Sequence, residues 1–358
     1  MPDVATLPLP ALLLAFALAA AAVWAAGVRL SDTSDVLSAR FGLGEALGGL
    51  LLLAVVTNLP EVAITVTAAL RRDLGLAVGN LLGGIAIQTV VLVVVDAVGA
   101  RGGPPLTYRA ASLALVLEGA LLIAVLAVTV AGTQLPASLV VARVTPQGVL
   151  LVAVWGCGVW LVGRARRGLP WRDSTGAPDG QPQPRGTAKH KKERGARERG
   201  VSTGRTAAVF AAASLVTLAG GVVLEQSGEA IAARVGMSGV LFGATVLAAA
   251  TSLPEVSTGL ASARLGDYQL AVSDIFGGNA FLPVLFLPAA LLSGEAVLPR
   301  AGRTDIYLTA LGALLTVVYM GGLIFRPRRR VAGMGVDSFV VLAAYALGVA
   351  GLVAVARR

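Results

Sequence analysis

Apolar runs of about 17–25 residues, the length at which a helix crosses the hydrocarbon core of a bilayer, recur along the whole chain. Ten can be marked, at roughly 8–27, 43–70, 74–99, 109–131, 147–163, 207–224, 238–263, 267–292, 304–325 and 336–355. They do not alternate with period two over about ten residues, as the strands of a membrane barrel do. The pattern predicts an all-α polytopic membrane protein with ten transmembrane helices. The first run follows "MPDVATLPLP", which has no Lys or Arg, so it reads as a retained helix and not as a signal peptide.

One segment breaks the pattern. Residues 164–205 are rich in Pro, Gly and charge, with 12 Lys or Arg against 4 acids, so most of the chain's net +9 lies there. This is a flexible basic linker, and the positive-inside rule makes it a cytoplasmic loop. With five runs before it, both termini then face outward, and "RPRRR" at 326–330 falls inside as well. The expected location is the cell (inner) membrane. The expected partners are the lipid bilayer and, for the linker, anionic lipid headgroups; nothing points to nucleic acid, and the oligomeric state stays open. Composition agrees, with 56% hydrophobic and 14% charged residues and a mean hydropathy of +0.80, where a soluble domain is about a quarter charged. The single cysteine, Cys157, reads as apolar filler in the fifth run, and the single histidine, His190, as solvated within the linker.

Sliding the chain by 194 residues lays 53–90 over 247–284 without a gap, with 16 identical positions out of 38. The matches include Thr57/Thr251, Pro60/Pro254, Glu61/Glu255, Asp73/Asp267 and the Gly-Gly pairs at 83–84 and 277–278. Five runs separate the copies, and an odd number turns the second half over in the membrane. The expected organisation is therefore two inverted five-helix repeats: 1–163 with its motif at 53–90, the linker 164–205, and 206–358 with its motif at 247–284.

The heart of each copy is "TNLPEV" (57–62) or "TSLPEV" (251–256). A proline inside a helix removes a donor and displaces the carbonyl four residues back, here those of Val56 and Ala250. A carboxylate at membrane depth costs roughly 2.5–3.5 kcal/mol on insertion scales, so Glu61 and Glu255 must each pair, protonate or hold a cation. Thr57 and Glu61 share a helix face, as do Thr251 and Glu255, and Ser252 adds a hydroxyl. Brought together, the two motifs make an all-oxygen cage suited to a hard cation such as Ca²⁺, and no Cys, His or Met is present to favour a softer metal. On the third run Asn80, Gly84 and Gln88 form a stripe; on the eighth it is Asp274, Gly278 and Leu282, with the glycines allowing close helix approach. Glu118 lies in the fourth run outside the repeat, while Asp96 and Asp305 sit near run ends and read as interfacial.

"T-[NS]-L-P-E-V", followed about 18 residues later by "GNLLGG" or "SDIFGG" once per half, resembles the α-repeats of the Ca²⁺/cation antiporter superfamily, whose best-known members are sodium/calcium exchangers. The resemblance implies a ten-helix fold with an ion site between helices 2, 3, 7 and 8. It implies Ca²⁺ binding by Glu61 and Glu255, helped by Thr57 and Thr251 as metal ligands, and alternating access with helices 1 and 6 moving against the remainder. The chain departs from the family pattern at Asn58, Gly84, Ile85, Gln88, Ser273, Asp274, Gly278 and Leu282. Several of these help form the flanking sodium sites in the family, so proton coupling through the glutamates and Asp274 stands as a rival to sodium. The function read from the chain is a secondary active antiporter, with Ca²⁺ and either Na⁺ or H⁺ as transported ligands and no resident cofactor. Its cation-binding candidates are Glu61, Glu255, Thr57, Thr251, Ser252, Asn58, Asn80, Asp274 and Gln88, with the carbonyls of Val56 and Ala250. One alternative is a monovalent-cation/proton exchanger on the same scaffold. A membrane-embedded lipid phosphatase would need an Arg clamp for phosphate, and all 29 Lys and Arg fall in loops or at run ends.

Overall fold

A computed structural model describes residues 7–40, 54–100, 102–166, 202–237, 242–264 and 266–356. The architecture is carried by α1 (Leu9–Arg40), α2 (Leu59–Arg71), α3 (Leu74–Val94), α4 (Leu113–Thr133), α5 (Pro146–Arg166), α6 (Thr203–Val235), α7 (Leu253–Arg264), α8 (Tyr268–Phe281), α9 (Arg303–Phe325) and α10 (Val336–Ala356). Short helical segments and a two-stranded antiparallel ribbon, β1 (Arg330–Val331) with β2 (Met334–Gly335), complete it.

Among the described residues, eight helical segments are long and apolar enough to cross a membrane. The two other predicted runs, 43–70 and 238–263, are those that hold the repeated motif. Both are broken there, and α2 and α7 measure 13 and 12 residues after the break. Residues 41–53 and 238–241 of those runs lie outside the described residues, as do 167–201 of the predicted linker, including His190.

α1 and α6 outrun their predicted lengths, at 32 and 33 residues. Their sequences turn polar without losing helical form. Thr33 satisfies its own helix by donating to the carbonyls of Arg29 and Leu30, and α6 continues until Gly236 closes it in the left-handed conformation. The eighth run kinks at Pro283, where a 3₁₀ turn (Leu282–Leu285) separates α8 from Phe286–Ser293. The fourth starts late, because Ser112 caps α4 by accepting from the Ala114 amide and leaves Leu106–Ala110 as a separate helix. Cys157 is exposed on α5, a perimeter helix, and is not filler.

α3 is the most buried of the long segments and α10 the least. Around α3, Leu81, Leu82, Ile85, Ile275, Phe276 and Leu315 form part of one core. The two long helices, α1 and α6, lie against one another, and each also crosses a motif helix of the other half, α1 on α7 and α6 on α2. The crossings use equivalent positions, since Gly27 and Gly221 are one repeat offset apart. A Cβ on Gly27 would lie 2.8 Å from Pro254 Cβ, and one on Gly221 would lie 3.0 Å from both Cα and the carbonyl oxygen of Pro60. Backbone and ring atoms cannot rotate away, so the absence of a side chain sets how near the long helices come to the breaks. Gly27→Val and Gly221→Val should each cost about 1–3 kcal/mol by overpacking and lower the thermal midpoint in detergent. Gly156→Val on α5, where a Cβ meets open space, should leave it nearly unchanged.

Candidate cation site

The proline of each motif sets the local geometry. The preceding helix ends at Thr57 or Thr251, Asn58 or Ser252 forms the turn, and the next helix starts at Leu59 or Leu253 with proline in its first turn. Side chains at the break fold back onto the preceding turn. Asn58 Nδ2 donates to the Ala54 carbonyl at 2.6 Å and Ser252 Oγ to the equivalent Ala248 carbonyl at 2.7 Å. The hydroxyls of Thr57 and Thr251 reach the same two carbonyls at 3.4 and 3.2 Å. Val56 and Ala250, whose carbonyls the prolines were expected to free, are buried in the turn just before each break.

One turn further on stand Glu61, 0% exposed, and Glu255, 1% exposed. The threonines cross over, with Thr251 of the second copy facing Glu61 and Thr57 of the first facing Glu255. The two glutamates are near enough to act on each other electrostatically, and Asp274 acts on Glu255 as well. Gln88 Nε2 donates to Glu61 Oε1 at 3.2 Å and to Asn58 Oδ1 at 3.1 Å. Glu61 Oε2 and both oxygens of Glu255 make no hydrogen bond of ordinary geometry. Among the described residues no Arg or Lys is paired with either glutamate, whereas Glu295 is paired with Arg72 and Arg300.

Asp274 is buried on α8 and accepts from Thr258 Oγ1 at 2.6 Å. Asn80, its counterpart on α3, is buried with Nδ2 unpartnered, two turns from Gln88 and not hydrogen-bonded to Glu61 as Gln88 is. The glycines do permit close approach: a Cβ on Gly278 would fall 2.7 Å from Asn58 Nδ2, and one on Gly84 would fall 3.8 Å from Leu282 Cδ1. Glu118 is buried and accepts from Ser273 Oγ at 2.5 Å, beside Asp274 in sequence. Asp96 and Asp305 stand at helix ends. Both are buried, because chain reversals at the helix ends leave backbone N–H groups in need of acceptors. Asp96 takes those of Leu106 and Gly335, and Asp305 takes that of Gly302.

Two residues were missed in the sequence. Thr258 stands three after Glu255, a spacing that puts its hydroxyl near the carboxylate face, where the first copy has Ile64. Asn279, fully buried, donates to the Ile85 carbonyl at 3.3 Å and to Thr89 Oγ1 at 3.1 Å. It clasps α8 to α3 at the position that in the first copy is Ile85 itself. The assembled site presents carboxylates, hydroxyls and amide groups. No three of the described acids close into one metal cluster; Asp274 stands beside the Glu61–Glu255 pair.

A model of the family described as "Sodium/calcium exchanger protein" matches residues 11–163 and 206–354. The inner membrane protein YrbG of Escherichia coli (strain K12) is 26% identical over 321 residues, 87% of this chain and 90% of that protein. The crystal structure of the H⁺/Ca²⁺ exchanger CAX matches with a TM-score of 0.63 at 11% identity, over 95% of this chain and 87% of that one. A structure of the sodium-calcium exchanger NCX_Mj soaked with Na⁺ and Sr²⁺ matches with a TM-score of 0.60 at 14% identity, over 96% and 99%. At such identities the two structures establish a shared fold. The named exchangers are transporters, not enzymes.

Removing a donor from a buried carboxylate costs about 1–3 kcal/mol. Thr258→Val and Gln88→Leu should therefore each lower the thermal midpoint of the purified protein, whereas Thr133→Val, at a partly exposed helix end, should shift it little.

Proposed function

The chain belongs to the sodium/calcium exchanger protein family, and from that membership we propose that it is a secondary active antiporter exporting Ca²⁺ in exchange for H⁺ or Na⁺. The observation that carries this reading is the pair of buried glutamates, one per repeat, each faced by the threonine of the other. Two like charges close together in a poorly polar setting are relieved by one divalent ion, by two monovalent ions, or by protons. Ligands that answer the same charges exclude each other. Occluding the empty site would bury two uncompensated carboxylates, so the empty carrier stays open to one side, and only a loaded one changes over. That is the physical basis of obligatory exchange.

In this reading Glu61 and Glu255 are the metal ligands, with Thr57, Thr251, Ser252, Asn58 and the carbonyls of Val56 and Ala250 at the breaks. Asn80, Gln88 and Asp274 line the flanks. The ten predicted runs all cross the membrane as two inverted five-helix halves, which places the site near the midplane. The linker is cytoplasmic, its positive charge lies near anionic lipid, and both termini face outward. α1 and α6 slide over the breaks at Gly27 and Gly221. No resident cofactor takes part.

One asymmetry favours the proton as counter-ion. Gln88 offers Glu61 an amide nitrogen, not an oxygen, and Leu282 fills the equivalent place in the second half. Fewer oxygens flank the centre for Na⁺, while three carboxylates remain to take protons. The same feature supports the second reading, a monovalent-cation/proton exchanger.

Reconstituted vesicles distinguish these. Ca²⁺ flux should follow a pH gradient more strongly than a Na⁺ gradient; flux under neither sinks the calcium reading, and K⁺ or Na⁺ flux under a pH gradient would then support the second. Glu61→Gln and Glu255→Gln should each cut Ca²⁺ flux by about two orders of magnitude, the equivalent of roughly 3 kcal/mol for half of a buried charge set. Unchanged flux in both would remove the proposed site.

A further inference from the structure

A second pair of buried acids lies away from the central site, where α3 ends and the ribbon meets α10. Asp96 sits in the π-helical turn Val95–Gly99 that terminates α3, and Asp337 in the first turn of α10. Their carboxylates close on Gly335. A Cβ there would lie 2.5 Å from Asp337 Oδ1 and 3.1 Å from Asp96 Oδ2. Pro105 Cβ would lie 2.8 Å from the same Cβ, so the two acids and Pro105 close together on a residue that has no side chain. Thr107 faces Asp337 from the Leu106–Ala110 helix. Tyr319 of α9, fully buried, lies near both acids and shares a hydrogen bond of 3.2 Å with Ser338 Oγ.

The cluster is built but incompletely satisfied. Asp96 accepts backbone N–H groups from Leu106 at 2.8 Å and Gly335 at 2.6 Å, which fixes its orientation. Asp337 is 6% exposed, and its carboxylate faces only the Thr107 hydroxyl and the first-turn amides of its own helix, with no hydrogen bond of ordinary geometry. Thr107 Oγ1, on a residue 1% exposed, makes no hydrogen bond of ordinary geometry either. A buried carboxylate held by such poor hydrogen bonds is costly, and here it adjoins a second one. Arg330 binds the carbonyls of Ala100, Gly103 and Asp96 and braces the wall. Among the described residues no ion pair links it, or any other base, to either carboxylate.

We infer that Asp96, Asp337, Thr107, Tyr319 and Ser338 form a second binding site for a divalent hard cation of the Ca²⁺ type, seated over Gly335 and separate from the transport site. The charge set is two carboxylates and the neutral donors are hydroxyls, an all-oxygen set for such an ion, with water completing the six to eight ligands it takes. The site joins the end of α3, the Leu106–Ala110 helix, the ribbon, α9 and α10, so an ion there ties five elements together at one point. It shares no residue with Glu61, Glu255 or Asp274.

The test uses the full chain in detergent with Ca²⁺ alone as probe, counted by equilibrium dialysis. Protein carrying Glu61→Gln and Glu255→Gln should still bind one Ca²⁺ per chain, and adding Asp337→Asn should weaken that binding at least about ten-fold. No binding in the double variant, or binding indifferent to Asp337→Asn, overturns the proposal. A second measurement does not need the double variant to fold. In the otherwise unaltered chain, Gly335→Ala, whose Cβ displaces the Asp337 carboxylate, and Asp337→Asn should each abolish one Ca²⁺ equivalent and its share of the Ca²⁺-induced rise in thermal midpoint. Retention of both equivalents overturns the proposal, and is also the result if Asp337 only shares a proton with Thr107. Failure of the central site looks different, because the unaltered chain and the Glu61→Gln/Glu255→Gln chain would then bind equal amounts.

Discussion

Two like charges buried at one depth, with no described cation paired to them, constrain the rest of this fold. Glu61 and Glu255 sit in helices that begin at a break, and the break follows from the proline one residue earlier. At the break the side chains of Asn58 and Ser252 fold back onto the carbonyls of Ala54 and Ala248. The long helices must then pass close to the break without filling it. Gly27 and Gly221 permit this, each lying on the proline of the opposite half. Carboxylate, break and glycine are therefore one unit, made twice.

The two copies share that unit and differ around it. Glu61 is held by an amide donor, Gln88, which also fastens Asn58. Glu255 has no such partner, because Leu282 stands where Gln88 does. Instead the second copy places Asp274 nearby and steadies it with Thr258, where the first copy has Asn80 and Ile64. The site thus has a tethered carboxylate on one side and a more highly charged, hydroxyl-supported side opposite. A ligand that neutralises both must adapt more to the first side than to the second.

Much of this was legible in the chain. A Pro-Glu pair in an apolar run has an unavoidable chemical cost, and its return at a constant offset drew the eye to Thr57, Glu61, Thr251 and Glu255. Eight of the ten apolar runs coincide with segments able to cross a membrane. What escaped notice depends on distant partners or on polar sequence. α1 and α6 run on past their apolar stretches, where hydropathy no longer marks the helix. The burial of Asp96 was not legible because its two donors come from residues 10 and 239 positions away. Thr258 finds its partner sixteen residues on, and Asn279 binds across the repeat, so neither could be placed by helical spacing alone.

The Asn279–Ile85 bond joins two positions exactly one repeat offset apart. Equivalent positions touch only close to the axis that relates the copies. Were the halves identical chains paired as a symmetric dimer, a residue there would meet itself, and one side chain would have to serve as donor and acceptor at once. A single chain removes that demand for self-complementarity. One copy contributes an asparagine and the other a bare carbonyl behind an isoleucine, so the clasp is directional. Fusion of the halves thus does more than keep them together: it lets residues at the centre of the molecule specialise in opposite directions.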